Sequence, residues 1–172
     1  METLILDSEH LDLSRVSKNI RNEVNRGQRE NVQFREISQT EHETQLRAYR
    51  KRKSLLMPPF VLKEKRTYYG LFTADGIYCC SLALYPFDGY LVIQGVSIAA
   101  DCPYFAFSYL IYRCLQLSLD LESNGLDLAG EGVWKHKWNP KPFTNSFKPG
   151  RSLTGGRISG LLAKLYWFFK KN

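Results

Sequence analysis

After Glu131 the 172-residue sequence contains no acid at all, while nine Lys or Arg residues stand between 132 and 172. Residues 1–14 show the opposite gap, with four acids and no Lys or Arg. Residues 15–66 hold fourteen bases against six acids, and residues 67–131 hold Arg113 alone against seven acids. Two basic segments therefore flank an apolar, mildly acidic centre. Brought together by folding, they would suit the phosphates of a cofactor, a nucleotide-linked precursor, RNA or a membrane surface.

Cysteine is scarce and poorly spaced for a metal. Cys79, Cys80, Cys102 and Cys114 match no ligand pattern. Adjacent strand residues point to opposite faces, so Cys79 and Cys80 are not expected to share one ion. Buried small hydrophobes in a reducing compartment are the expectation. A basic-then-apolar leader is also missing, since Glu2, Asp7, Glu9 and Asp12 occupy the opening residues, and the cytoplasm is the expected compartment. No nucleophile set is visible. Ser97 and Ser146 lack an adjacent His–acid pairing, and the cysteines lack a basic neighbour to activate them.

What is present reads as one α/β domain over residues 1–172. The apolar share of 44% and aromatic share of 13% suffice for a folded core. Val16, Ile20 and Val24 predict an amphipathic helix over 12–28, capped by Asp12 or Ser14. Val32, Phe34 and Ile37 predict a strand over 31–38, and a helix from Thr40 to Leu55 follows, with Thr40 and Glu43 in capping-box spacing. Three antiparallel strands are expected at Thr67–Thr73, Ile77–Tyr85 and Tyr90–Ile98, separated by turns at 74–76 and 86–89. Residues 103–122 predict a buried helix with Asp101 as cap. Arg113, Gln116 and Asp120 interrupt it, so it is no membrane span. A short strand at Leu126–Ala129, a loop over 131–155 and a final helix from Gly156 complete the chain. The helix between Ile98 and Leu126 favours a parallel pair between the strands it joins.

Three stretches carry a family resemblance. "LSRVSKNIRNEVNRG" from Leu13 is similar to a basic helix with an Arg-x-x-Ile-Arg core. "YYGLFTADGIYCCSLALY" resembles a strand, glycine turn and small-residue strand. "GLDLAGEG…FTNSFKPG" resembles an ending in Asp-Phe-Gly-Gly and Phe-Lys-x-x-Phe-Gly, with Ala129 in place of one glycine and Pro149-Gly150-Arg151 interrupting the close. Together they resemble the N-acyltransferase (GNAT) fold, in the Fem-like branch of peptidoglycan aminoacyltransferases and acetyltransferase relatives.

The resemblance implies a mixed sheet, an antiparallel meander followed by a parallel pair, with helices on both faces. It also implies acyl or aminoacyl transfer to an amine of a cell-envelope sugar or peptide precursor. The donor would be acyl-CoA or aminoacyl-tRNA, with no metal, in a slot between the parallel strands. The Gly-rich phosphate loop of coenzyme-A users is replaced by "IAADCPYFAFS", where Pro103 removes one N–H.

Lys148 matches the family's Phe-Lys position, as an oxyanion or phosphate partner. Asp127 matches its strand Asp, as proton acceptor or amine-orienting group. Glu131 and His136 lie in the same loop as proton relays. Gly95, where a bulge could free a backbone N–H or which could simply pack closely, joins Ser97, Ile98 and Tyr104 on the donor side. Lys18 and Arg21 are candidates for the acceptor cleft. Trp134, Lys135, Lys137 and Trp138 alternate aromatic and basic character, which suits either stacking on a base or anchoring the loop on the core.

A non-catalytic GNAT-like module binding RNA or nucleotide phosphates is the other reading. Lys164, Lys170 and Lys171 beside the apolar face of the last helix make peripheral contact with the inner membrane face a candidate. A partner or homodimer is a further expectation, since Fem-type enzymes pair two such domains.

Overall fold

The computed structural model describes residues 2–55, 66–129 and 133–144. Its sheet has seven strands: β1 (Glu2–Leu6), β2 (Gln33–Ile37), β3 (Thr67–Phe72), β4 (Tyr78–Phe87), β5 (Tyr90–Ile98), β6 (Leu126–Asp127) and β7 (Lys141–Thr144). Their spatial order is β2-β3-β4-β5-β6-β1-β7. Every pairing is antiparallel except β5 with β6, whose register is Leu91 to Leu126 and Val92 to Asp127. Among the described residues four α-helices connect them: α1 (Lys18–Arg29), α2 (Gln39–Arg52), α3 (Ala106–Asp120) and α4 (Val133–His136).

The main core buries Val16, Ile20 and Val24 around α1 and Leu110, Ile111 and Leu115 of α3 against Leu71, Leu82, Leu84 and Ile93 of the sheet. Helix α2 packs on β3, β4 and β5, above the smaller cluster of Ile37, Tyr68, Phe72 and Ala83 on the other face. The fold is thus the mixed α/β architecture expected, with helices on both faces.

Several boundaries differ for physical reasons. The expected helix over 12–28 begins only at Lys18, because Ser17 supplies the cap and accepts the Ile20 N–H. The preceding residues form a 3-10 turn at Ser8–Leu11, capped by Asp7. Ser38, not Thr40, caps α2. Helix α3 starts after Phe105 with no side-chain cap, so Asp101 does not serve as one. Strand β4 runs through Pro86, shortening the turn to Asp88-Gly89. Part of the expected loop forms α4 and β7. The predicted helix from Gly156 lies outside the described residues.

One expectation about cysteine is corrected. Leu71 pairs with Cys80 and Phe72 with Tyr78, so Cys79 is an extra residue in β4. A bulge suspends alternation, and Cys79 and Cys80 both enter the main core. All four cysteines are free, and burial pushes Cys79 up to about 11 and Cys114 well above the usual thiol range. Among the described residues no three His, Cys, Asp or Glu side chains are grouped to hold a metal ion.

Candidate functional site

The parallel pair is short. Beyond Val92 and Asp127 the strands diverge: β6 stops, while β5 continues to Ile98. The side of β5 turned away from β4 therefore keeps backbone groups beyond Val92 that no described strand covers. Within that stretch Ser81 faces Ser97 but Ala83 faces Gln94, so Gly95 and Val96 oppose Leu82 alone. Gly95 adopts φ +56°, which a glycine accepts without steric cost. A side chain there would also meet His42 Nε2 at 3.1 Å. Bulge and close packing, the two alternatives for Gly95, are both realised.

Behind the bulge lies a buried polar network. His42 of α2 is 1% exposed and shares a 2.9 Å hydrogen bond between Nδ1 and Ser81 Oγ. The Tyr78 hydroxyl lies 2.9 Å from the same oxygen and donates to the Ser97 carbonyl at 3.2 Å. Desolvation lowers His42 to about 4, with Arg66 acting in the same direction, while Glu43 and a hydrogen bond to the Gly95 backbone oppose it. Burial raises Tyr78 to about 12. Ser97 is itself buried, and its Oγ has no hydrogen-bond partner among the described residues. At the end of β5, the Arg52 guanidinium donates to the Ile98 carbonyl.

The opposite wall is built from Asp127, Ala129 and Lys135. Asp127 is 2% exposed; it accepts from the Thr3 hydroxyl and, at 2.7 Å, from the Ala129 N–H. Lys135 is 5% exposed and donates to the carbonyls of Leu128 and Ala129. Desolvation lowers its pKa, and the Asp127 carboxylate partly offsets this. Both groups thus turn inward and hold the chain as it leaves β6. Ala129 takes φ +56°, at a position where the resemblance expects glycine. Ala129→Gly is expected to raise stability by about 0.5–1 kcal/mol, because the strained conformation outweighs the looser unfolded chain. A lower urea midpoint in the variant would refute this.

Other predicted residues scatter. Trp138 is fully buried in the core and presents no face for stacking, and Trp134 packs edge-on against Phe107 with ring centroids 5.0 Å apart. They anchor the segment, one of its two expected roles. His136 and Lys137 are exposed. The Ser17 N–H donates to the Lys137 carbonyl, which brings the first turn of α1, with exposed Lys18 and half-buried Arg21, against that turn. Exposed Tyr104 borders a polar concavity of about 450 Å³ formed with Asn22, Asn25, Arg26, Gln28 and Arg29 of α1. Glu131 and Lys148 lie outside the described residues. Sequence reasoning missed His42, Tyr78, Ser81, Arg52 and Thr3. Only Arg52 carried a signal, the Arg50-Lys51-Arg52-Lys53 run, and it was read as a helix end.

No family model and no curated protein matches the sequence. Solved structures do. The C-terminal domain of a putative lysylphosphatidylglycerol synthetase from Agrobacterium fabrum is 15% identical, with TM-score 0.62 over 82% of this chain and 57% of that one. L-PGS from Bacillus licheniformis is 16% identical, with TM-score 0.64 over 95% of this chain and 64% of that one. FemX is 10% identical, with TM-score 0.67 over 84% of this chain and 60% of that one. At such identities the likeness is one of fold. The chain spans less than two thirds of each of these neighbours.

Proposed function

We propose that the chain transfers an acyl or aminoacyl group to an amine of a cell-envelope sugar or peptide precursor. The observation that carries this reading is the divergence of β5 from β6 with the Gly95 bulge in its wall. Uncovered backbone N–H groups along β5 can donate to the carbonyl oxygen of a donor lying in the slot, where negative charge develops during attack. The new bond joins amine nitrogen to carbonyl carbon. The bond to the leaving oxygen of an aminoacyl-tRNA, or sulfur of an acyl-CoA, breaks, and the amine's proton passes to that leaving atom. Lys148 is assigned to the oxyanion or a phosphate. Asp127 and Lys135, held by protein contacts, act by shaping the wall, and a free base is not assigned to either.

The named neighbours support an aminoacyl donor over acyl-CoA, as does the missing Gly-rich loop. Arg26, Arg29 and Tyr104 beside the start of α3 suit the phosphates and a base of such a donor. The lysylphosphatidylglycerol synthetase among the neighbours makes, by its name, a lysyl lipid; phosphatidylglycerol offers a hydroxyl and no amine, so its vesicles enter the panel as the contrasting acceptor. We assign the protein to the cytoplasm, with contact at the inner membrane face and a partner or second copy completing the acceptor side. The inward commitment of Asp127 and Lys135 favours one other reading, a non-catalytic module that binds RNA or nucleotide phosphates.

The test is thermal shift of the full chain with acetyl-CoA, longer acyl-CoAs, charged and uncharged tRNA, UDP-linked amino sugars and phosphatidylglycerol vesicles. A ligand of the native state raises the melting temperature with the logarithm of its concentration over Kd. Charged tRNA is expected to stabilise wild type more than uncharged tRNA, with the difference reduced in Lys148→Ala. Equal stabilisation by both tRNAs would transfer the protein to the binding-module reading, and no shift with any donor would end the transferase reading.

A further inference from the structure

Arg113 is the sole base between residues 67 and 131, and it projects from α3, the most apolar of the described helices α1, α2 and α3. It lies on the α1–α3 face of the sheet, in a cleft of about 310 Å³ lined by Leu11, Phe34, Leu117 and Leu119 together with Gln116 and Asp120. Its guanidinium carbon stands 4.9 Å from the centre of the Phe34 ring, which is itself stacked on Tyr69 with centroids 5.3 Å apart. The Arg113 Nε is buried and has no hydrogen-bond partner among the described residues. Among the described residues Arg113 forms no ion pair. A partly buried guanidinium is ordinarily matched by a carboxylate, and an aromatic face replaces only part of that interaction.

We propose that this cleft binds a small amphipathic monocarboxylate, separately from the slot between β5 and β6. The charged end fits Arg113, whose planar fork matches a carboxylate in a two-point pairing. Gln116 lies one helical turn on and offers an amide donor to the same oxygens. The ligand's apolar body rests on Leu11, Phe34 and Leu117. Two features narrow the class. Asp120 in the cleft lining opposes a dianion more than a monoanion, which disfavours phosphate. Asp120 also stands two turns from Arg113, about 10 Å along the helix axis. An α-amino acid with its carboxylate on Arg113 would bring its ammonium beside the like-charged guanidinium and against the apolar lining of Leu11, Phe34 and Leu117. The cleft lies at the lower end of the ~300–1,000 Å³ range of small-molecule sites, which fits a single ring or a short chain.

The test uses the full chain with 3-phenylpropionate, its neutral amide, phenylalanine and inorganic phosphate, read by thermal shift and ligand-observed NMR. Saturable binding of 3-phenylpropionate is expected, with the amide, phenylalanine and phosphate each at least about tenfold weaker. Arg113→Met keeps an apolar stem on Phe34, and it is expected to abolish the preference for acid over amide. Gln116→Leu serves as a second variant that leaves the guanidinium in place; it is expected to weaken the acid alone. Equal binding of acid and amide to wild type, a preference for the acid that survives in Arg113→Met, or no saturable binding of the acid would each overturn the proposal.

Discussion

Gly125→Ala is expected to destabilise the fold by about 3–5 kcal/mol, through overpacking added to backbone strain. Gly125 opens β6 at φ +145°, a conformation side-chain-bearing residues rarely adopt. An added methyl would sit 2.1 Å from the Leu6 carbonyl oxygen and 3.2 Å from the Asp7 Cα. Those neighbours are backbone of β1 and the residue after it, so no rotamer change relieves the clash. Since β1 pairs with β6 through Leu6 and Leu126, displacing it would also loosen the wall that holds Asp127. Gly76→Ala is the control for strain without clash, because Gly76 also has a positive φ, +78°, but a methyl there meets nothing within 4 Å. Urea unfolding of both variants measures the difference. A loss below about 1 kcal/mol in Gly125→Ala would mean that β1 does not cross β6 so closely.

Stability is expected to fall by about 3 kcal/mol between pH 6.5 and pH 4 because of His42 alone. The sign follows from its folded value of about 4 against an ordinary value of 6.5. Above 6.5 the ring is neutral in both states and its contribution is complete. As pH falls through 6.5 the unfolded chain takes up a proton that the buried ring refuses, so unfolding gains free energy. Below about 4 both forms are charged and this dependence ends. His42→Gln removes the titration, and its stability relative to wild type should improve steadily as the pH is lowered across that window. Chemical unfolding at pH 7.5, 5.5 and 4.5 provides the comparison; parallel curves for the two proteins would refute the buried neutral ring.

The meander, the parallel pair and the buried helix α3 were legible because hydrophobic period, turn residues and connection length agreed for each. Tyr90–Ile98 matched from end to end. Strand β1 was not legible, since Glu2–Leu6 is short and only partners beyond residue 125 make it a strand. The same holds for β7, whose Lys141–Thr144 carries little β propensity and is fixed by pairing with β1. In the candidate site, Gly95 stood out as a lone glycine in a strand. His42 did not, because its hydrogen-bond partners come from β4 and β5 and its helix alone reads as a solvated surface. Lys135 was read as part of an exposed aromatic and basic alternation, yet the short helix α4 turns it inward to two carbonyls. Sequence spacing carries no information about which lysine of a polar run is turned inward.

Strand β1 sits between β6 and β7 in the sheet. It is made before every other described strand of this sheet, yet both of its neighbours are made after residue 125. While the ribosome works through the middle of the chain, the meander β2–β5 can already zip up from local turns. The opening strand has nothing to join and bears an open edge throughout. Assembly therefore runs against the order of synthesis on this side of the sheet: of these strands the earliest to emerge is among the last to be secured, and it needs protection from wrong partners in the interval.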